Sequence, residues 1–404
     1  MRASKSPRNS LHAKAEPRTR VAPHIAALPK SGIRDFFELV NAMDDVISLG
    51  IGEPDFVTPW KIREATIYSL QRGQTHYTSN LGAPKLREAV CKYFARRFGG
   101  SYDPKTECII TVGVSEGLDL ATRAVICPGD EVLYHEPCYV SYSPTVRMAH
   151  GLPVAVQTSA DYDFVLQVKD LENAVTPQTK VLMLNYPNNP TGAGMTAEDK
   201  RKVAEFAVRH DLIVFSDEIY DELSYVPRSP SIATLPGMRD RTIVFNGFSK
   251  AFAMTGYRIG YAVGPRDLID AMMKIHQYSI LCAPGPSQFG AIEALNGSDA
   301  ERDAMHDEYE QRRNVIVKRF NDLGLKCFKP RGAFYVFPDI RSTGMSSYDF
   351  ATSLLREERV AVIPGTAFGS CGEGYVRCSY ATSMDGIETA MERIGKFLAK
   401  HGLR

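Results

Sequence analysis

Lys250 stands in the stretch Phe245-Asn246-Gly247-Phe248-Ser249-Lys250, directly after the apolar run Ile243-Val244-Phe245. A lysine held in an apolar pocket has its pKa lowered, because desolvation disfavours the ammonium. The neutral amine is then a nucleophile that forms a Schiff base with a carbonyl compound. Arg258 follows between Gly256 and Gly260, which let backbone approach a bound group closely. A surface lysine and a structural arginine in an ordinary strand-to-helix loop fit this stretch equally well, so the rest of the chain decides.

Other chemically able residues end apolar, strand-like runs. Asn189 lies in Asn185-Tyr186-Pro187-Asn188-Asn189-Pro190-Thr191-Gly192, after Val181–Leu184. Asp217 and Tyr220 follow Leu212–Phe215, as Lys250 follows the run at 242. The run Cys108–Val112 leads through Gly113-Val114-Ser115 into an apolar-periodic helix reaching about Ile126, and such a turn offers free N–H groups and a helix dipole to a phosphate. Further strands are expected at 131–134 and 154–156, and Thr196-Ala197-Glu198-Asp199 opens an amphipathic helix to His210. This alternation predicts an α/β fold, a mainly parallel sheet covered by helices with ligands at the carboxyl ends of its strands.

Upstream, helices are expected over Trp60–Gln71 and Pro84–Arg97, with Tyr77 between them. Gly50 and Gly52 precede Glu53-Pro54-Asp55 and permit either a turn or a close backbone approach. Beyond residue 300 a charged helix, Glu301–Leu323, is followed by short strands at 332–337, 360–363 and 375–380, a smaller α+β unit. Arg377 lies in the last of these, where a buried guanidinium needs an anionic partner, from a salt bridge or a ligand. The expected organisation is a disordered basic tail over 1–20, a segment over 21–60 packing on the small domain and the active site, a large domain over 61–299 and a small one over 300–404.

Composition excludes more than it assigns. The 48 basic and 47 acidic residues nearly cancel, which argues against a nucleic-acid or membrane-surface binder. Eight cysteines without a Cys-x-x-Cys pair read as reduced thiols in a cytoplasmic protein, and the nine histidines show no metal spacing. No apolar run approaches the roughly 18 residues of a membrane span.

Taken in order, Tyr77, Asn189-Pro-Thr-Gly, Asp217-x-x-Tyr220, Ser249-Lys250, Arg258 and Arg377 resemble the fold-type I, class I/II pyridoxal-phosphate aminotransferases. The likeness runs from about Ser31 to the C-terminus and is nearest to the bacterial aspartate, aromatic and N-acetyl-diaminopimelate group. It implies that Lys250 carries pyridoxal 5′-phosphate as a Schiff base and moves a proton at the substrate Cα. Asp217 would pair with the ring nitrogen, and Tyr220 and Asn189 with the phenolic oxygen. Arg258, Ser249 and the backbone at Gly113, Val114 and Ser115 would hold the phosphate, and Tyr139 would stack on the ring. Arg377 and the backbone of Gly52 would take the substrate α-carboxylate. Tyr77 would reach the phosphate of a neighbouring subunit, implying a homodimer with shared sites. Two departures stand out: Gly247 where many relatives have a phosphate-binding serine, and Ser115 where some aspartate-specific relatives have a lysine.

The expected activity is transamination between an amino acid and a 2-oxo acid, 2-oxoglutarate being the expected acceptor. Arg34 is the candidate for a second substrate carboxylate. A β-lyase of the same fold and a non-enzymatic regulator are the alternatives, the latter disfavoured because residues 1–30 are too short and proline-interrupted for a winged helix.

Overall fold

The computed structural model describes residues 20–28, 40 and 43–402. The expected tail lies almost wholly outside them, as does Arg34. Strands β1 (Ile47–Ser48), β2 (Cys108–Thr111), β3 (Glu131–Glu136), β4 (Leu152–Gln157), β5 (Thr179–Asn185), β6 (Ile213–Asp217), β7 (Thr242–Gly247) and β8 (Gly260–Val263) are followed by β9 (Tyr335–Val336), β10 (Val360–Ala361), β11 (Ile363–Pro364) and β12 (Val376–Ser379).

Seven of these form one sheet in the order β2-β8-β7-β6-β5-β3-β4. From β7 to β4 the pairs are parallel, and β8 runs antiparallel to both its neighbours. Every residue of β7 is buried, as expected of a strand covered on both faces. The helix Gly113–Val125 presses Leu118, Leu120 and Ala121 inward, and its Gly117 lies against Phe245. Thr196 and Asp199 form a reciprocal capping box at the start of the helix Ala197–Arg209.

A smaller antiparallel sheet, β11-β12-β9, lies beyond the long helix Asp299–Asp322. The last helix, Met384–Lys400, buries Ile387, Met391, Ile394 and Leu398, spaced to fall on one face. The strand expected at 360–363 is two strands, because β10 pairs with β1 and β11 turns to pair with β12. That expected over 332–337 shrinks to β9. By pairing with β10, β1 sends the following residues, Leu49 to Glu53, towards the ends of β5, β6 and β7.

Candidate active site

The parallel strands deliver polar groups to one cavity of about 450 Å³. In register, Asn185 at the end of β5 faces Asp217 at the end of β6, and Asn185 Nδ2 donates to the Asp217 carbonyl at 3.0 Å. Lys250 follows β7 by three residues and lines the same space, as do Asn189, Tyr220, Ser249 and Arg258. Gly113, Val114 and Ser115 enter from the helix N-terminus after β2, Tyr139 from the loop after β3, Gly52 from the N-terminal segment and Arg377 from β12. Thus twelve of the fourteen expected site residues meet in one place. Tyr77 does not line it: the residue is 82% exposed on the surface. Arg34 lies outside the described residues.

Burial pushes the Lys250 amine down to about 8, with Glu53 and Asp217 opposing. Its Nζ donates to the Gly52 carbonyl at 2.7 Å. Burial also pushes the Asp217 carboxyl up to about 6, against a 2.7 Å bond from the Tyr142 hydroxyl to Oδ2 and a 3.2 Å bond from the Ile219 N–H to Oδ1. None of the ion pairs among the described residues involves Asp217. Its environment therefore suits a cationic N–H brought by a ligand.

Arg377 is buried without an acid. Nη1 donates to Asn189 Oδ1 at 3.0 Å, Nη2 donates to the Gly50 carbonyl at 2.6 Å, and Nε has no partner. The salt bridge weighed from the sequence is thus absent among the described residues, and the guanidinium retains capacity for a carboxylate.

At the other end, Arg258 donates Nη1 to the Thr255 carbonyl at 3.0 Å and keeps Nη2 beside Gly113. Gly113 takes φ +72°, and a Cβ there would stand 2.9 Å from that Nη2. Gly260 lets the Gly113-Val114 turn rest on β8, since a Cβ would meet the Val114 nitrogen at 2.8 Å. Gly247 has a related cause: a side chain there would press on Gly260 Cα at 3.0 Å. With a guanidinium edge, the Ser249 and Thr255 hydroxyls and a helix N-terminus at one end, an uncompensated carboxylate beneath and a reactive amine, the donor set fits pyridoxal 5′-phosphate.

Among the lining residues that escaped the sequence reading are the polar Asn185, Tyr142, Thr255 and Tyr335. Asn185 carried a usable signal, because it ends an expected strand. Tyr142 and Tyr335 did not, because their contacts with Asp217 and Tyr220 span 75 and 115 residues.

A profile of the family described as aminotransferase class I and II matches residues 44–394. The chain is 45% identical over 376 residues to the aromatic-amino-acid aminotransferase 2 of Thermococcus litoralis, covering 92% of this chain and 97% of that protein. It is 44% identical over 376 residues to an aspartate aminotransferase of Pyrococcus abyssi, with the same coverage of 92% and 97%. Among solved structures, the aspartate aminotransferase of Thermus thermophilus with maleate matches with a TM-score of 0.89 at 38% identity, over 94% of this chain and 100% of that one.

Proposed function

The chain belongs to the class I and II aminotransferases, and from that premise we propose that it is a ping-pong transaminase using pyridoxal 5′-phosphate. The amino donor is an L-amino acid of the aspartate, aromatic, alanine or N-acetyl-diaminopimelate type, and the acceptor is 2-oxoglutarate. The observation that carries this reading is the meeting, in one cavity, of a buried amine driven towards neutrality and a buried carboxylate without a cation.

When bound, the cofactor supplies an aldehyde to hold the amino group and a cationic ring to accept the electron pair released at the substrate Cα. Lys250 would take the proton from that carbon and deliver it to the cofactor's former aldehyde carbon, as its lowered pKa allows. Asp217 keeps the ring nitrogen protonated. Asn189 turns its Oδ1 to Arg377, which leaves its amide N–H groups for the phenolic oxygen, and Tyr220 donates to the same atom. Arg258, Ser249 and the N–H groups of Gly113, Val114 and Ser115 bind the phosphate, and Tyr139 stacks on the ring. Arg377 and the Gly52 backbone orient the substrate so that its Cα–H bond faces Lys250.

Arg34 is our candidate for a second substrate carboxylate. The exposed rings of Tyr77 and Tyr278, 82% and 87% accessible, support a homodimer in which Tyr77 reaches the partner's cofactor phosphate. Their segments are tied together by Asn80 Nδ2 donating to the Leu281 carbonyl at 2.8 Å. A donor panel with 2-oxoglutarate tests the reading. Glutamate formed from one of these donors is expected, whereas pyruvate and ammonia released without any acceptor would replace it with a β-lyase.

A further inference from the structure

Tyr335 touches three parts of the site at once. It lies on β9, fully buried, opposite Ser379 of β12. Its ring centroid is 4.7 Å from Arg377 Cζ, and the ring of Phe368 also lies against that guanidinium, at 4.8 Å. Its hydroxyl is 2.9 Å from the Tyr220 hydroxyl and 3.4 Å from the Gly52 carbonyl.

We propose that Tyr335 is a positioning residue with two separable duties: its ring holds the Arg377 guanidinium ready for a carboxylate, and its hydroxyl turns that of Tyr220 towards the cofactor. The proposal rests on the transaminase reading above. The first duty follows from what Arg377 lacks. With no acid beside it, a buried guanidinium needs a restraint that leaves its N–H groups free for a ligand. Aromatic faces provide this, since they attract the cation without accepting its hydrogens.

The second duty follows from counting protons. Each phenol has one hydrogen to donate. If Tyr335 donated to Gly52, it would have to accept from Tyr220, and Tyr220 could then donate nothing to the cavity. If Tyr335 donates to Tyr220, the Tyr220 hydrogen is free to point inward. The 2.9 Å separation marks the stronger bond than the 3.4 Å one, so the single Tyr335 hydrogen goes to Tyr220. The geometry therefore selects the arrangement in which Tyr220 donates inward.

The test uses the cofactor-loaded enzyme and two readouts: the pH midpoint of the cofactor's visible absorbance, and the dissociation constant of a carboxylate without an amino group, such as succinate or 3-phenylpropionate. Tyr335→Phe keeps the ring and removes the hydroxyl. It should raise the midpoint by about one pH unit, because the phenolate form loses support, and leave carboxylate affinity within about twofold. Tyr335→Leu removes both and should also weaken carboxylate binding about tenfold. Phe368→Leu, which approaches Arg377 separately, should weaken carboxylate binding without moving the midpoint, so the ring duty stays testable if Tyr335→Leu does not fold. An unmoved midpoint in Tyr335→Phe, or a Tyr335→Phe loss of affinity equal to that of Tyr335→Leu, overturns the proposal while leaving the transaminase reading intact. A wild-type protein that binds no cofactor would instead overturn that reading.

Discussion

Tyr142 and Asp217 are joined inside the protein by a hydrogen bond of 2.7 Å, in which the phenol donates to Oδ2. The phenol opposes a carboxyl whose burial carries it from the ordinary 3.8 to about 6. A raised carboxyl means that the folded cofactor-free chain holds this proton more tightly than the unfolded chain does. The stability of the cofactor-free protein should therefore fall as pH rises from about 4 to about 6, by on the order of 3 kcal/mol from this group. Asp217→Asn should remove that fall, and Tyr142→Phe should extend it to higher pH. Urea titrations across this range check it, and an unchanged profile in Asp217→Asn would refute it.

Lys250 should react selectively with aldehydes. With its pKa lowered to about 8, the fraction of neutral amine at pH 8 is on the order of a hundredfold greater than for a solvent-exposed lysine. Treatment with the cofactor aldehyde and then borohydride should label this residue, at a rate that rises to about pH 8 and then levels off. Lys250→Ala should remove the label and lower transamination at least about a thousandfold. Labels spread over surface lysines with a midpoint above pH 10 would contradict the assignment.

Phosphate recognition should be separable from ring recognition. Gly113→Ala sets a Cβ against Arg258 Nη2 and forces φ +72° on a residue that disfavours it. The dissociation constant for pyridoxal 5′-phosphate should rise about tenfold, and that for phosphate-free pyridoxal should stay near wild type. Fluorescence-quenching titrations with both compounds compare the two. Equal losses would place the damage elsewhere than at the phosphate.

Away from the cavity, the Glu222 side chain is 4% exposed. Burial pushes its carboxyl up, but Arg97, Arg228 and Arg302 more than offset this and hold it at about 2. Its contribution to stability should be complete above about pH 4.5 and lost as pH falls towards 2. Glu222→Gln should cost about 3 kcal/mol at neutral pH, because three guanidiniums lose their shared negative charge. The gap between variant and wild type should close in acid denaturation curves. A gap that stayed constant down to pH 2 would show that packing, not charge, is responsible.

The strand-end residues were legible because the mainly parallel sheet follows a local rule. Each apolar run ends in a loop on the same side, so Asn189, Asp217 and Lys250 must converge even though no two are adjacent in the chain. The antiparallel strand β8 was not read from the sequence, because its short apolar run, broken by Gly260, follows directly on the Arg258 turn. The break between β10 and β11 was also hidden. It reflects a change of partner, one strand pairing with residues 47–48 and the other with β12, and periodicity within 360–364 carries no trace of either. Tyr142 and Tyr335 look like any core tyrosine until the sheets bring Asp217 and Arg377 beside them.

The segment after β1 presents the carbonyl of Gly50 to Arg377 and that of Gly52 to Lys250. Both acceptors are peptide oxygens, so replacing side chains at these positions leaves the bonding atoms in place. A conventional alanine scan of 47–51 would therefore report the packing of the buried Leu49 and miss the main-chain bond to Arg377. At Gly52 it would mislead in the opposite direction, because an added methyl would meet the Tyr335 hydroxyl at 2.8 Å and report a steric fault instead of a lost bond. Amide-to-ester exchange, which weakens a carbonyl as an acceptor without altering shape, is the perturbation that would expose how strongly the main chain itself restrains the two cations.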